Sequence, residues 1–347
     1  MMERYGHGGD VYGTNRGLLD FSANINPLGM PAGVREAIAR SAAEADIYPD
    51  PFCRQLRQAL GEAEGVPSQW ILCGNGAADL IFRLARAMAP GRGMVTAPAF
   101  SEYEKAMTGA GWQVRQHELK REDGFTLTAG ILEELRGIRM LFLCNPANPT
   151  GSLTSRTLLL EIARRCQATG TILVVDECFH DFVEDSQSMV PYLGEFPGMV
   201  VLRAFTKIYA MAGVRLGYCL CSDPQLLEAV AEAGQPWGVS TLAQAAGLAA
   251  LRETDYVCRS RKLVREQRAR LMEGLRKAGM EVLPGAANYL FFRSPRSDLG
   301  EKLRQTGILV RSCANYQGLD ERDWRIAVRG PEENGRLLAA LERIQEA

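Results

Sequence analysis

An excess of charge of one sign is missing from this 347-residue sequence: 40 basic side chains meet 41 acidic ones, and the formal net charge is −1. A chain so balanced carries no whole-protein field to draw it onto nucleic acid or an acidic membrane surface. No stretch approaches the roughly 18 apolar residues that a membrane-spanning helix needs. The N-terminal MMERYGHGGD lacks the apolar core of a signal peptide. Nine cysteines are scattered without a CxxC pair, the nearest two being Cys219 and Cys221. An odd count at irregular spacing argues against a disulfide framework or a zinc site and for reduced thiols. Internal repeats and low-complexity segments are also missing. The expectation is a cytoplasmic protein with no metal and with neither nucleic acid nor membrane as a partner.

What is present is an ordinary globular composition, 46% hydrophobic and 23% charged, in a chain long enough for two subdomains. WILCGNGAADLIFRLARAM (70–88) reads as a strand, a glycine turn and an amphipathic helix. GMVTAP (93–98), RMLFLCNP (139–146), TILVVDE (171–177), MVVLRAF (199–205) and RLGYCLC (215–221) read as buried strands, with helical patterns such as SRTLLLEIARRCQATG (155–170) between several of them. That alternation predicts an α/β fold with an open, mostly parallel sheet covered on both faces. Its ligands are expected beyond the C-terminal strand ends. From about residue 224 the pattern changes to a long helix (254–279) and short strands at 280–284, 288–293 and 324–329, an α+β subdomain. The expected division is an N-terminal segment over 1–45 packing across the cleft, a large domain over 46–245 and a small C-terminal domain over 246–347.

Four strand-end motifs carry chemistry. GNGAAD (74–79) is a glycine turn opening a helix, whose N–H groups make a phosphate cradle. NPANPTG (145–151) ends a strand in two Asn-Pro steps. VVDECFHDF (174–182) puts Asp176 and Glu177 directly after an apolar run, so at least one should meet a cation or a protonated ring nitrogen. In RAFTKIYAMAGVRLGY (203–218) only small or apolar residues separate Lys207 from Arg215. An apolar setting lowers a lysine's pKa and makes it nucleophilic, and an arginine fork suits a phosphate.

In that order and spacing the motifs resemble the fold-type I pyridoxal-phosphate (PLP) enzymes, the aspartate aminotransferase superfamily, over nearly the whole chain. The resemblance implies PLP as cofactor, with Lys207 forming its Schiff base. It implies that Arg215, Gly76, Ala77 and Thr206 hold the cofactor phosphate, and that Asp176 pairs with the pyridine nitrogen. It further implies that Asn148 donates to the ring oxygen and that Phe100, in APAFSEY, stacks on the ring. Tyr48, in YPDP, resembles the tyrosine that reaches the neighbouring subunit's cofactor phosphate, which implies a homodimer. Ala204 departs from the pattern, because many relatives carry a hydroxyl residue there.

The substrate is also implied by resemblance. Arg325, in WRIAVRG, lies where the superfamily binds the α-carboxylate, and Arg311, in GILVRSCANYQGL, where its phosphate-substrate members bind the distal phosphate. Such a pair suits a phosphorylated amino acid. Two branches compete, histidinol-phosphate aminotransferase and threonine-phosphate decarboxylase. YGHGGDVYG and LDFSANINPLG resemble the decarboxylase branch, in which His7 and Gly8 would hold the phosphate, and Asn24 and Asn148 would contact the substrate. Phe179 points the same way, since the aminotransferases usually carry tyrosine there. The expected function is PLP-dependent decarboxylation of L-threonine O-3-phosphate in cobalamin biosynthesis. Histidinol-phosphate amino transfer, a decarboxylase preferring O-phospho-L-serine, and a non-catalytic PLP-binding protein remain open. His117 and His180 receive no role.

Overall fold

The apolar runs in the first two thirds of the chain become the strands of one sheet. The computed structural model describes residues 6–185 and 187–346. In chain order its strands are β1 (Leu19–Asp20), β2 (Ile71–Gly74), β3 (Arg92–Ala97), β4 (Gln113–Glu118), β5 (Met140–Cys144), β6 (Ile172–Asp176), β7 (Met199–Ala204), β8 (Gly217–Leu220), β9 (Glu281–Val282), β10 (Tyr289–Arg293), β11 (Ile308–Leu309), β12 (Arg311–Ser312) and β13 (Asp323–Ala327). Seven of them form a sheet of order β2-β8-β7-β6-β5-β3-β4, parallel except for β8. The fold is that of the fold-type I PLP enzymes, as the motif order implied.

Strands buried on both faces read as continuous apolar runs, and β6 and β7 are buried at every position. One face is covered by a core that includes Leu80, Ile81, Leu84 and Tyr103, and the other by a core that includes Leu56, Leu159, Ile162 and Ala246. The sequence reading did not find β4 (QVRQHE). It is one of the sheet's two edge strands and, unlike β2 at the other edge, is polar and half-exposed, so it has neither an apolar run nor a clean alternation.

The C-terminal part forms an antiparallel sheet, β12-β13-β10-β9, backed by the long helix Tyr256–Lys277 and the helix Pro331–Glu346. The N-terminal segment touches both lobes. β1 pairs in parallel with β11, and the helix Ala32–Ser41 packs on the helix Thr241–Ala250 of the large lobe. Between them the Asn26 amide donates to Ile208 O and Ser260 Oγ, each at 2.6 Å. No helix among the described residues is long and apolar enough to cross a membrane.

Candidate active site

The large sheet ends its parallel strands at one rim, and a cavity of about 490 Å³ opens there beneath the small sheet and the N-terminal segment. His7, Gly8, Asn24, Ala77, Phe100, Asn148, Asp176, Thr206, Lys207, Arg215, Arg311 and Arg325 all line it. Of the residues expected at the site, Gly76 lies just behind this wall and only Tyr48 lies well outside. Tyr48 is 76% exposed and meets the Trp237 ring at 4.6 Å with a tilt of 30°.

At the phosphate end, β2 runs through a tight turn into the helix Ala77–Ala87. Asp79 accepts from the Asn75 N–H at 2.9 Å and holds the turn. Gly76 has φ +79°, and a Cβ there would stand 2.7 Å from Arg215 Nη2. Only glycine lets the backbone come so close to that guanidinium. Arg215 itself has φ +63°, a strained conformation of the kind that persists where the surroundings impose it.

At the other end, β6 delivers Asp176. Its carboxylate accepts from Cys178 N–H at 2.9 Å and from Tyr103 Oη at 2.5 Å, and burial followed by Asp176's charge pushes the Tyr103 hydroxyl well above its usual range. Tyr103 was not anticipated, although it lies three residues after Phe100 in the quoted APAFSEY and meets that ring edge-on at 5.6 Å. Glu177, the neighbouring carboxylate, turns the other way to a buried pair with Arg203 at 3.1 Å. The two acids thus divide between cavity and core. His180 is buried beside Arg203, and burial, then that cation, push its pKa down to about 3. His117 pairs with Glu134 at 2.9 Å, away from the cavity.

Lys207 follows β7 with its ammonium 5.8 Å from the Phe179 ring centroid. Burial, then the charges of Arg325 and Arg215, lower its pKa to about 8, which makes the free amine available near neutral pH.

Arg311 on β12 and Arg325 on β13 are direct cross-strand partners. Side chains so placed share one face of the sheet, and like charges opposed in this way repel. Both are buried, and both Nε atoms lack a partner. Arg325 donates to Asn148 Oδ1 and, at 3.0 Å, to Ser22 O. Arg311 donates to Gly6 O and, at 2.8 Å, to Asn315 Oδ1. All four of these acceptors are neutral oxygens. His7 Nε2 lies 2.9 Å from Glu102 Oε1 at the rim, a partner the sequence did not suggest. Gly8 packs against Ser22 so closely that a Cβ would meet Ser22 O at 2.1 Å. The cavity therefore offers a glycine cradle with an arginine, an amine of lowered pKa, a fixed carboxylate, and two guanidinium groups whose charges no carboxylate among the described residues answers. That set fits pyridoxal phosphate together with an acidic amino-acid substrate.

A model of the family described as aminotransferase class I and II matches residues 16–341. The chain belongs to this family. Within it, the chain is 43% identical over 331 residues to the threonine-phosphate decarboxylase of Salmonella typhimurium, covering 94% of this chain and 91% of that protein. Among solved structures, the histidinol-phosphate aminotransferase from Clostridium acetobutylicum superposes with a TM-score of 0.89 at 26% identity, over 95% of this chain and 99% of that one. The histidinol-phosphate aminotransferase from Sinorhizobium meliloti, solved in complex with pyridoxal-5'-phosphate, gives a TM-score of 0.84 at 25% identity over 93% and 89% of the two chains. Among the described residues no cluster of histidine, cysteine and acidic groups could hold a metal ion.

Proposed function

We propose that the protein is a PLP-dependent decarboxylase that converts L-threonine O-3-phosphate to (R)-1-aminopropan-2-yl phosphate and carbon dioxide, a step of cobalamin biosynthesis. The observation that carries the reading is the opposed pair Arg311 and Arg325. Two buried guanidinium groups in direct register, with only neutral partners in view, call for a ligand with two anionic ends. A β-phosphorylated amino acid has a carboxylate at one end and a phosphate at the other. The 43% identity to a threonine-phosphate decarboxylase supports the same choice.

Bound pyridoxal phosphate would supply a sink for the electron pair left on Cα when the bond to the carboxylate breaks. The chain's own residues do the rest. Gly76, Ala77, Thr206 and Arg215 hold the cofactor phosphate. Asp176, fixed by Tyr103 and the Cys178 N–H, keeps a proton on the pyridine nitrogen. Phe100 would pack against the ring, and Asn148 has its acceptor end taken by Arg325, so its NH2 is the end left to donate to the cofactor. Arg325 would grip the carboxylate and orient the bond to be broken. Arg311, His7 and Gly8 hold the phosphate, with Asn24 beside them. Its side-chain oxygen is buried without a partner and accepts from the substrate. Lys207, with a pKa near 8, carries the proton that replaces carbon dioxide on Cα.

The proposal includes a homodimer working in the cytoplasm, with the three-part division at residues 45 and 245. Tyr48 reaches the partner's site from an exposed patch that includes Ile47, Phe52 and Trp237, and the nine cysteines are free thiols. Histidinol-phosphate amino transfer is the second reading, favoured by the TM-score of 0.89 to such an enzyme. Phe179 speaks against it, since this side chain offers no hydroxyl to the ring oxygen. The deciding experiment incubates the holoenzyme with O-phospho-L-threonine, O-phospho-L-serine and histidinol phosphate, measuring carbon dioxide and keto-acid-dependent amino transfer separately. Carbon dioxide from phosphothreonine without amino transfer is the expected result. Amino transfer from histidinol phosphate with no carbon dioxide from either phosphoamino acid overturns the proposal. One substrate methyl discriminates by only about 1–3 kcal/mol, so the phosphoserine arm measures a preference.

A further inference from the structure

Tyr289 is fully buried at the start of β10 and is not among the residues that line the cavity, yet it touches three pieces of the site. Its ring stands 5.6 Å from the Arg325 guanidinium carbon. It meets Phe179 edge-on at 5.0 Å. Its hydroxyl donates at 2.7 Å to Ala147 O, the residue before Asn148. Asn148 in turn accepts from Arg325, so the contacts close a loop from the small sheet to the large lobe and back.

A core aromatic alone would not need this hydroxyl. Ala147 O already accepts from Gly151 N–H at 2.6 Å, so phenylalanine would fill the same space without orphaning the carbonyl. The hydroxyl's distinctive effect is to tie β10 to the loop that carries Asn148. Beside it, Ala286 N–H donates to Gly151 O at 2.9 Å, so two strands of contact cross between the lobes here.

We infer that Tyr289 is a positioning residue that holds Asn148 and Arg325 at one fixed spacing, so that the grip on the substrate carboxylate and the contact with the cofactor ring stay in register. The effect on turnover rests on the decarboxylase reading; the effect on the bound cofactor does not.

The test uses Tyr289→Phe and Tyr289→Leu holoenzymes. Three quantities are measured: kcat and KM for O-phospho-L-threonine, and the pH titration of the bound cofactor's visible absorbance, to which a donor at the ring oxygen contributes. Loss of one hydrogen bond corresponds to roughly 2- to 12-fold. Tyr289→Phe should therefore lower kcat by about that factor, leave KM within about two-fold, and move the absorbance midpoint. Tyr289→Leu also removes the ring beneath Arg325, so KM should rise as well, by roughly 2- to 30-fold. A Tyr289→Phe enzyme with an unmoved midpoint and wild-type kcat overturns the inference, whatever happens to its melting temperature. Should the leucine variant fail to fold, the near-isosteric phenylalanine variant decides alone. Should the wild type release no carbon dioxide, the reaction assignment fails, and the absorbance midpoint still decides the role of Tyr289.

Discussion

Arg311→Ala separates the energetics of the empty site from those of the occupied one. In the wild type Arg311 faces Arg325 across two strands. Taking the roughly 5 Å typical of directly opposed side chains and an effective dielectric of about 20, two unit charges repel by about 3 kcal/mol. Against this stand the bonds that Arg311 donates to Gly6 O and Asn315 Oδ1, each worth about 1 kcal/mol. The terms nearly cancel, so the ligand-free variant should melt within a few degrees of the wild type. With substrate bound the balance changes, because a charged contact contributes about 1.5–3 kcal/mol. Its loss should raise KM for O-phospho-L-threonine roughly 10- to 150-fold. Unphosphorylated threonine makes no such contact, so any turnover of it should keep its KM. The assay is carbon dioxide release on both substrates beside thermal melts with and without phosphothreonine. Equal losses on both substrates would remove Arg311 from the phosphate site, and with it the main argument for a phosphate ester.

Other perturbations probe the rest of the site. Arg325→Ala should depress decarboxylation of both substrates and release slow amino transfer, read as pyridoxamine phosphate. Asp176→Ala should lower turnover steeply while part of the cofactor stays bound. Glu177 cannot take over while Arg203 holds it at 3.1 Å, and an unchanged rate would refute both statements. The Lys207 amine, with its pKa lowered to about 8 from the ordinary 10.5, is neutral above that value in the folded protein and charged in the unfolded chain. Cofactor capture by the apoprotein should therefore accelerate as pH rises through about 8, and between about 8 and 10.5 this group should make the apoprotein more stable as pH rises. Lys207→Ala should abolish both trends and the visible absorbance of the covalently held cofactor. Gly76→Ala places a methyl 2.7 Å from Arg215 Nη2 at backbone angles of φ 79° and ψ 163°, which strain other residues by roughly 1–3 kcal/mol. Fluorescence titration with pyridoxal phosphate should show weaker binding, and wild-type affinity would refute the cradle.

Most of the large sheet was legible because a strand covered on both faces must be apolar throughout, as TILVVDE and MVVLRAF are. β4 was illegible because an edge strand has water on one side, and two-residue strands such as β11 and β12 have no period to detect. The cavity residues on strand ends could be picked out because glycine turns, paired acids and isolated cations keep recognisable company in the chain. Contacts between residues far apart in the chain leave no such mark. Tyr103 reaches Asp176 over 73 positions, and Glu102 reaches His7 over 95. The facing of Arg311 and Arg325 is a matter of strand register, set by how β12 lands on β13, and no spacing in the sequence encodes it.

The hydrogen bonds that Arg311 donates to Gly6 O and Arg325 donates to Ser22 O have a practical consequence for making the protein. An acidic or histidine-rich tag spliced directly onto Gly6, in place of residues 1–5, would begin beside the guanidinium assigned to the substrate phosphate and would compete for it. A tag placed after Glu346 follows the helix Pro331–Glu346, which contributes no residue to the cavity wall. Assays on material so tagged should therefore overstate KM, and cleavage of the tag should restore it.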